Sequence, residues 1–479
     1  MQLSHTRPVT AARFDDPNLV STAGLVPIMA LAHDNGLLSL ADEHLSVPTD
    51  KGAHAGHKIG SLVAGMVAGA DSITDMALVR HGAMGTLFDR PYAPSTLGSF
   101  LRTFSFGHVR QLDAVASRFL RGLASHTPLV AGIDTGRVLV DIDDSIIEVH
   151  GHSKQGSGYG YSGVRGLNAL ITTVTTGTAA PVIVGQRLRK GACGSARGAG
   201  RMVADTLTTA RHLRRAATDP AARTTPVAVP KPLVRADSAF YGYPTVGAAL
   251  RGGADVSVTV RLTSTIKTAI SSISDNAWTP IEYTNAVYDH DTEHWISNAE
   301  VAEIPFTAFA SQKKAHRIPG RLVVRRIPDL RPTKDQGQGT LFDIWRFHAF
   351  FTTTDPADLD TVAADKLHRH HAIIEQVHAD LKNSALAHLP SSRFTANAAW
   401  LVCAVMAFNL TRAAATLTGD PALVKATTGT IRRTIVSVPA RIASSARRLT
   451  LHLPQRWPWE TAWNTLFDTV FGRNQPIIG

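Results

Sequence analysis

The sequence predicts an α/β fold in which a mixed β-sheet, interrupted by a β-rich insertion, lies between helical N-terminal and C-terminal regions. Three observations carry that reading. The apolar period changes from helical to strand-like at Leu129. Strand-like and helix-like patterns then alternate from about Gly200 onward, and from Asp358 to about Arg448 the pattern is almost entirely helical. Strands followed by alternating strand and helix describe a mixed sheet covered by helices, which neither a sandwich nor a bundle would give.

In chain order, Asn18 to Leu45 and Ile59 to Val79 read as short amphipathic helices, and APSTLGSFLR reads as a helix through Leu101 with Ser95 as its N-cap. These fill a helical region over residues 1–128, suited to DNA binding or dimerisation. LVAGIDTGRVLVDID, NALITTVTTG and APVIVGQRLRKG read as three strands with glycines at their ends. A helix from about Gly200 to Ala217, a strand in PVAVPKPLVRAD, a helix from about Pro244 to Leu250 and a strand in DVSVTVRL complete the first part of the core, residues 129–262. Residues 263–345, with the strand candidate GRLVVRRI and the polar loop RPTKDQGQGT, form the β-rich insertion. The second part of the core spans 346–415, and a basic helical region spans 416–479.

Composition narrows the partners. Among 479 residues, 49 Lys and Arg stand against 38 Asp and Glu, and the net charge of +11 points to an anionic partner such as nucleic acid or a membrane surface. Two cysteines, Cys193 and Cys403, are too few for a disulfide framework or a thiolate metal site and suggest a cytoplasmic chain. MQLSHTRPVTAARFDD lacks the apolar stretch of a secretion signal. The apolar tract from Ala398 to Leu410 falls short of the roughly 20 residues that a membrane helix needs. A protein in solution is therefore expected, with no membrane partner.

Three acids follow the apolar run in VLVDIDDSIIEVHG. In a strand, side chains alternate, so Leu139, Asp141 and Asp143 share one face and Val140 and Ile142 the other. A buried charge is costly unless paired or metal-bound, so at least one of the two acids should reach a crevice. In PLVRADSAFYG a second acid, Asp237, closes another apolar run. In LHRHHAIIEQVHADLKN, residues His368, His371, Glu375, His378 and Lys382 fall three or four apart and share a helix face, beside a stripe of Ile374, Val377 and Leu381. Three carboxylates from two strands and a helix suit two Mg²⁺ ions about 4 Å apart, an arrangement for phosphoryl transfer. His150, His152, His368, His370 and His371 could instead suggest zinc, but no HExxH or Cys/His ligand spacing accompanies them.

The ordered set DIDDS, RADSAFY and HHAIIEQVHADLKNSALAHL, followed by RFTANAAWLVCAVMAFNLTRA, resembles the DDE transposases of the IS4-like superfamily, in particular the IS1380-type insertion-sequence group. The similarity extends over most of the chain. It implies an RNase H-like catalytic core, a β-strand insertion between the second Asp and the Glu, and cut-and-paste DNA transposition by a bacterial enzyme acting on the nucleoid. Catalytic and metal-binding roles carry over to Asp143, Asp237 and Glu375, with Asp141 as an adjacent acid, Mg²⁺ as cofactor in two ions per site, and Mn²⁺ as a substitute. The implied partners are double-stranded DNA at terminal inverted repeats, target DNA, and a second copy in a homodimeric synaptic complex. The family's Tyr, Arg, Glu and Lys signature is matched at Glu375 and Lys382, while His368 and His371 stand at the Tyr and Arg positions. Both histidines are expected to meet DNA phosphates, although a histidine's charge near neutral pH is conditional where an arginine's is not.

Two other classes fit parts of the pattern. DIDDS also matches the opening motif of haloacid-dehalogenase-like phosphatases, with Asp141 as nucleophile and Asp143 as acid/base, but no later acidic pair accompanies it. A catalytically inactive, transposase-derived DNA-binding protein would keep the basic surface alone. Arg187, Arg189, Lys190, Arg197 and Arg201, interleaved with glycines, are candidate phosphate contacts, as are Arg432 and Arg433 in the C-terminal region. Trp278 and Trp295 are candidates to stack on an unpaired base.

Overall fold

The computed structural model describes residues 11–47, 52–89, 91–151, 153–217, 229–289, 294–328, 345–445 and 448–472. The chain opens with a two-residue strand, β1 (Leu19–Val20), and six helices: α1 (Leu25–Asp34), α2 (Leu37–His44), α3 (Ala55–Ala68), α4 (Met84–Leu87), α5 (Pro94–Arg102) and α6 (Phe106–His126). A capping box starts α6: Ser105 accepts from the His108 amide while the His108 ring accepts from the Ser105 amide. Ser95 does not cap α5. The helix begins two residues earlier than that cap would set it, with Pro94 in its first turn and Ala93 at the cap position, because proline's fixed φ already suits a first turn.

Ten strands form the main sheet: β2 (Leu139–Glu148), β3 (Gly158–Tyr159), β4 (Arg165–Thr175), β5 (Val182–Lys190), β6 (Leu233–Ala236), β7 (Asp255–Thr259), β8 (Thr279–Asp289), β9 (His294–Ala308), β10 (Ile318–Pro328) and β11 (Trp345–Thr352). From one edge the order runs β5, β4, β2, β6, β7, β11, β10, β9, β8, with β3 also against β4. Strands β5, β4 and β2 are antiparallel, β2, β6 and β7 are parallel, and all later pairings are antiparallel. This is the RNase H-like arrangement, and the insertion strands extend the same sheet outward from β7.

The parallel connections carry helices α7 (Ala199–Ala217) and α8 (Tyr243–Arg251), and α9 (Ser264–Ser271) opens the insertion. Helices α10 (Thr361–Arg369), α11 (Ile373–Lys382) and α12 (Phe394–Thr416) follow β11. Helix α12 is apolar on every side because it is the central helix of the core. It packs against α6, α3 and β5, and Asn409 completes β5 by accepting from the Ile183 amide and donating to the Ile183 carbonyl, at 3.0 and 2.7 Å. At 23 residues it is long and apolar enough to cross a bilayer, contrary to the expectation from residues 398–410 alone, yet its apolar window is wholly buried in protein.

The C-terminal region holds α13 (Pro421–Lys425), α14 (Thr428–Ile431) and α15 (Glu460–Gly472), but it is not helical throughout. A hairpin of β12 (Ala440–Ser445) and β13 (Arg448–His452) pairs with β1 to make a second sheet. Burial alternates at the start of β12, where Ala440 and Ile442 turn inward and Arg441 outward, so a period of two prevails over the helical reading.

Candidate active site

Register explains why two acids meet. The parallel pairing of β2 with β6 ends at Ile142 and Ala236, so Asp143 and Asp237 are each the first residue beyond it. Asp143 lies within a strand that continues to Glu148, rather than at the strand's end. Past this point β2 has no strand neighbour on the β6 side among the described residues, and a cleft of about 1210 Å³ is lined there by Asp143, Asp144, Asp237, Arg197, Arg261 and Lys382. Asp237 is fixed by its own turn, its Oδ1 accepting from the Ala239 amide at 3.0 Å. Burial, with Asp237 adding repulsion, pushes the Asp143 carboxyl up to about 7; burial also raises Asp237.

The shared face of Asp141 and Asp143 is the one that α11 covers, and the two acids have different neighbours there. Asp141 is fully buried. The Arg235 guanidinium, at its register position on β6, donates to both carboxylate oxygens at 2.8 and 2.7 Å, and to the Leu367 carbonyl at 2.6 Å. His371 lies 2.8 Å from Asp141 through Nδ1, and near enough to Asp143 and Asp237 to favour their ionised forms. His378 Nε2 stands 3.6 Å from Asp143 Oδ2, and burial pushes its pKa down to about 4. Lys382 is also lowered by burial, which Asp143 opposes.

Asp144 faces the other side of β2. It accepts from Asn168 and, at 2.7 Å, from Arg189, whose Nε donates to Asn168 at 2.8 Å. The remaining Arg189 nitrogen holds the carbonyls of Ser195 and Arg197 at 2.9 and 2.7 Å. Arg189 therefore ties the glycine-rich loop over residues 191–198 to the strand that carries Asp143.

A two-carboxylate, oxygen-only pair in a polar cleft suits a hard divalent cation, which would favour the ionised form of both acids. Glu375 is exposed on α11, and among the described residues no three His, Cys, Asp or Glu side chains form a group that could hold a metal ion. The residues thus fit a cation at Asp143 and Asp237, and Glu375 does not complete a group of three as it stands.

Residues 2–473 match the family described as transposase DDE domain, group 1. The chain belongs to that family. It is an IS1380-type DDE transposase domain, and membership implies DNA cleavage and joining of the DDE type with metal-dependent catalysis. No curated protein matches it.

Several expected DNA contacts of the transposase lie elsewhere than sequence spacing suggested. His368 is a correction: its ring is buried against β7, hydrogen-bonded to Ser257 at 2.8 Å and Thr259 at 3.0 Å, and stacked on Phe350 at 4.1 Å. Arg189 is another, since its donors are occupied inside the protein. Arg187 is half-buried near Asp113 and Arg110, outside the cleft lining. Arg432 is half-buried and donates to the Val67 carbonyl at 3.3 Å. Lys190, Arg197, Arg201, Arg433 and Lys382 are exposed, and of these Arg197 and Lys382 line the cleft. Trp278 is half-buried and packs on Arg326 and Phe347, with the guanidinium 4.3 Å from its ring centre. The side chain of Trp295 lies outside the described residues.

The transposase also uses a residue that sequence reasoning passed over, Arg235. Its signal was visible: one arginine in the otherwise apolar LVRA, where a buried charge demands a partner.

The burial of His368 has a measurable consequence. Its pKa is pushed down from 6.5 to about 3 by burial, so the unfolded chain takes up a proton that the folded chain refuses. The stability it supports is present above pH 6.5 and is lost as pH falls toward 3, about 2 kcal/mol of it by pH 5 at 1.36 kcal/mol per unit. Melting temperatures from pH 7 to 5 should fall more steeply for the wild type than for His368→Gln; parallel curves would exclude this histidine as an acid-sensitive element.

Proposed function

We propose that this transposase cleaves and joins DNA at the ends of an insertion sequence by metal-dependent phosphoryl transfer, in a cut-and-paste reaction carried by Asp143, Asp237 and Glu375. The observation that carries the reading is the register placing Asp143 and Asp237 side by side at the open edge beyond the β2–β6 pairing. Two Mg²⁺ ions, or Mn²⁺ in their place, would supply activation of the attacking oxygen and stabilisation of the leaving oxygen when bound. Asp143 and Asp237 would offer the carboxylate oxygens, and Glu375 on α11 is the third acid that the family pattern assigns to the reaction. Lys382, Arg197 and Arg261 draw the DNA backbone into the cleft, and His371, held by Asp141, takes the place of the arginine in the family signature. Terminal inverted repeats and target DNA are the substrates, with two copies acting together on the bacterial nucleoid. The phosphatase reading is disfavoured because its nucleophile, Asp141, is fully buried and bound on both oxygens by Arg235.

Purified protein with Mg²⁺ or Mn²⁺ should nick duplexes carrying its element's ends and release no phosphate from small phosphoesters. End binding without nicking in either metal would favour the inactive DNA-binding alternative. Because several phosphate contacts release counterions together, end binding should also weaken by an order of magnitude or more between about 50 and 200 mM salt. Affinity independent of salt would remove the cleft's basic rim from the DNA interface.

A further inference from the structure

We propose that the groove between α7 and α8 is a second phosphate-binding track, continuous with the cleft, that holds the backbone of substrate duplex DNA away from the scissile position. This rests on the transposase reading above. The groove has a volume of about 560 Å³ and is lined by Arg201 and Arg211 from α7 and Arg251 from α8, with no acid among its lining residues. All three arginines are exposed. Arg211 is held along its helix by bonds to the Leu207 carbonyl at 3.3 Å and the Thr208 hydroxyl at 3.1 Å. Among the described residues the one carboxylate paired with them, Asp205, lies 3.7 Å from Arg201 in an exposed contact that solvent screens.

The floor is built of small side chains, including Ala204 and Ala248, so a sugar–phosphate backbone can approach closely. Gly200 sets the depth of the seam. A Cβ there would lie 2.3 Å from the Pro244 carbonyl oxygen, so the helices are in contact and the arginines stand along the seam from both sides. Three like charges around a shallow groove repel one another, and a polyanion relieves that repulsion while releasing its counterions.

Continuity with the cleft favours DNA over an acidic protein segment. Ala196 lines both the groove and the cleft, and Arg197 beside it lines the cleft. Arg189 holds this bridging loop by the carbonyls of Ser195 and Arg197 and, through Asp144, fixes it to the strand bearing Asp143. Arg197, Arg201, Arg211 and Arg251 thus mark a basic path leading away from the candidate catalytic acids. Spacing along one helix would not have revealed it, because Arg251 comes from a separate segment.

The test compares the full chain with its Arg201→Gln/Arg211→Gln/Arg251→Gln variant, using labelled duplexes without divalent cations over about 50 to 200 mM salt. One duplex carries the element end with long flanks on both sides, and the other is trimmed close to the cleavage site. The long duplex should bind the variant roughly tenfold more weakly, with a log–log salt slope shallower by about 3, close to one unit per lost contact. The trimmed duplex should bind both proteins alike. Equal affinity and slope on the long duplex would overturn the track, as would unchanged DNA binding with weakened self-association, which assigns the groove to a second copy. Wild-type nicking in the same preparations separates the two levels: if the wild type nicks and the variant binds equally well, only the track fails, whereas a wild type that neither binds nor nicks removes the transposase reading and the track with it.

Discussion

Asp143→Asn, Asp237→Asn and Glu375→Gln should each lower nicking of end DNA by on the order of a thousandfold or more, while end binding stays close to that of the wild type. Each change removes an anionic oxygen and keeps the side chain's volume. Loss of activity at Asp143 should not come from loss of fold, and the sign of its pKa shift shows why. The folded chain holds the Asp143 proton up to about pH 7, whereas an ordinary carboxyl loses it near 3.8. The stability associated with that proton is complete below 3.8 and is lost as pH rises through about 7. Asparagine stays neutral throughout, so Asp143→Asn should melt at least as high as the wild type at pH 8. If Glu375→Gln nicks normally, the helix acid has no part in the reaction; if Asp143→Asn nicks normally, the wrong strand acid has been assigned.

The two halves of that site were unequally legible in the sequence. A period of two correctly put Asp141 and Asp143 on one face, but it could not say which of them had a cation beside it. That depends on the β2–β6 register, a non-local pairing that places Arg235 beside Asp141 and leaves Asp143 beyond the last pair. The spacing of His368, His371 and His378 likewise found a real shared face, but one built by α10, a 3₁₀ turn at His370–Ala372 and α11 rather than by one continuous helix. Because its residues are polar, the pattern suggested contact with DNA, whereas the face is turned toward the sheet: His368 to Ser257 and Thr259, His371 to Asp141 and His378 to Asp143. Only Glu375 and Lys382 on that face are exposed. Helical periodicity identifies residues that share a side; it does not identify what lies opposite when those residues can hydrogen-bond to buried partners. The Gly-rich basic run raised the same ambiguity, and alternation along β5 with the return of the following loop turned Arg189 inward while leaving Lys190 exposed.

The pair that sequence reasoning missed should be the most sensitive point in the core. Asp141 and Arg235 have side-chain exposures of 0% and 1%, and Arg235 also holds the Leu367 carbonyl, joining β2 and β6 to the end of α10. Replacing one partner leaves the other charged, buried and unpaired, which costs about 3–5 kcal/mol, whereas replacing both by apolar groups of similar size removes the desolvation penalty together with the attraction. Asp141→Leu and Arg235→Met should therefore each lower the apparent melting temperature sharply, and the double variant should recover much of the loss. Losses that simply add would show that the two charges do not act as a pair. Nicking supplies a second readout. His371 meets Asp141 at 2.8 Å, and leucine at that position cannot accept the hydrogen bond, so the double variant should regain its fold without regaining wild-type cleavage. Full recovery of both would make Asp141 a purely structural acid and leave His371 without a positioning partner that matters to the reaction.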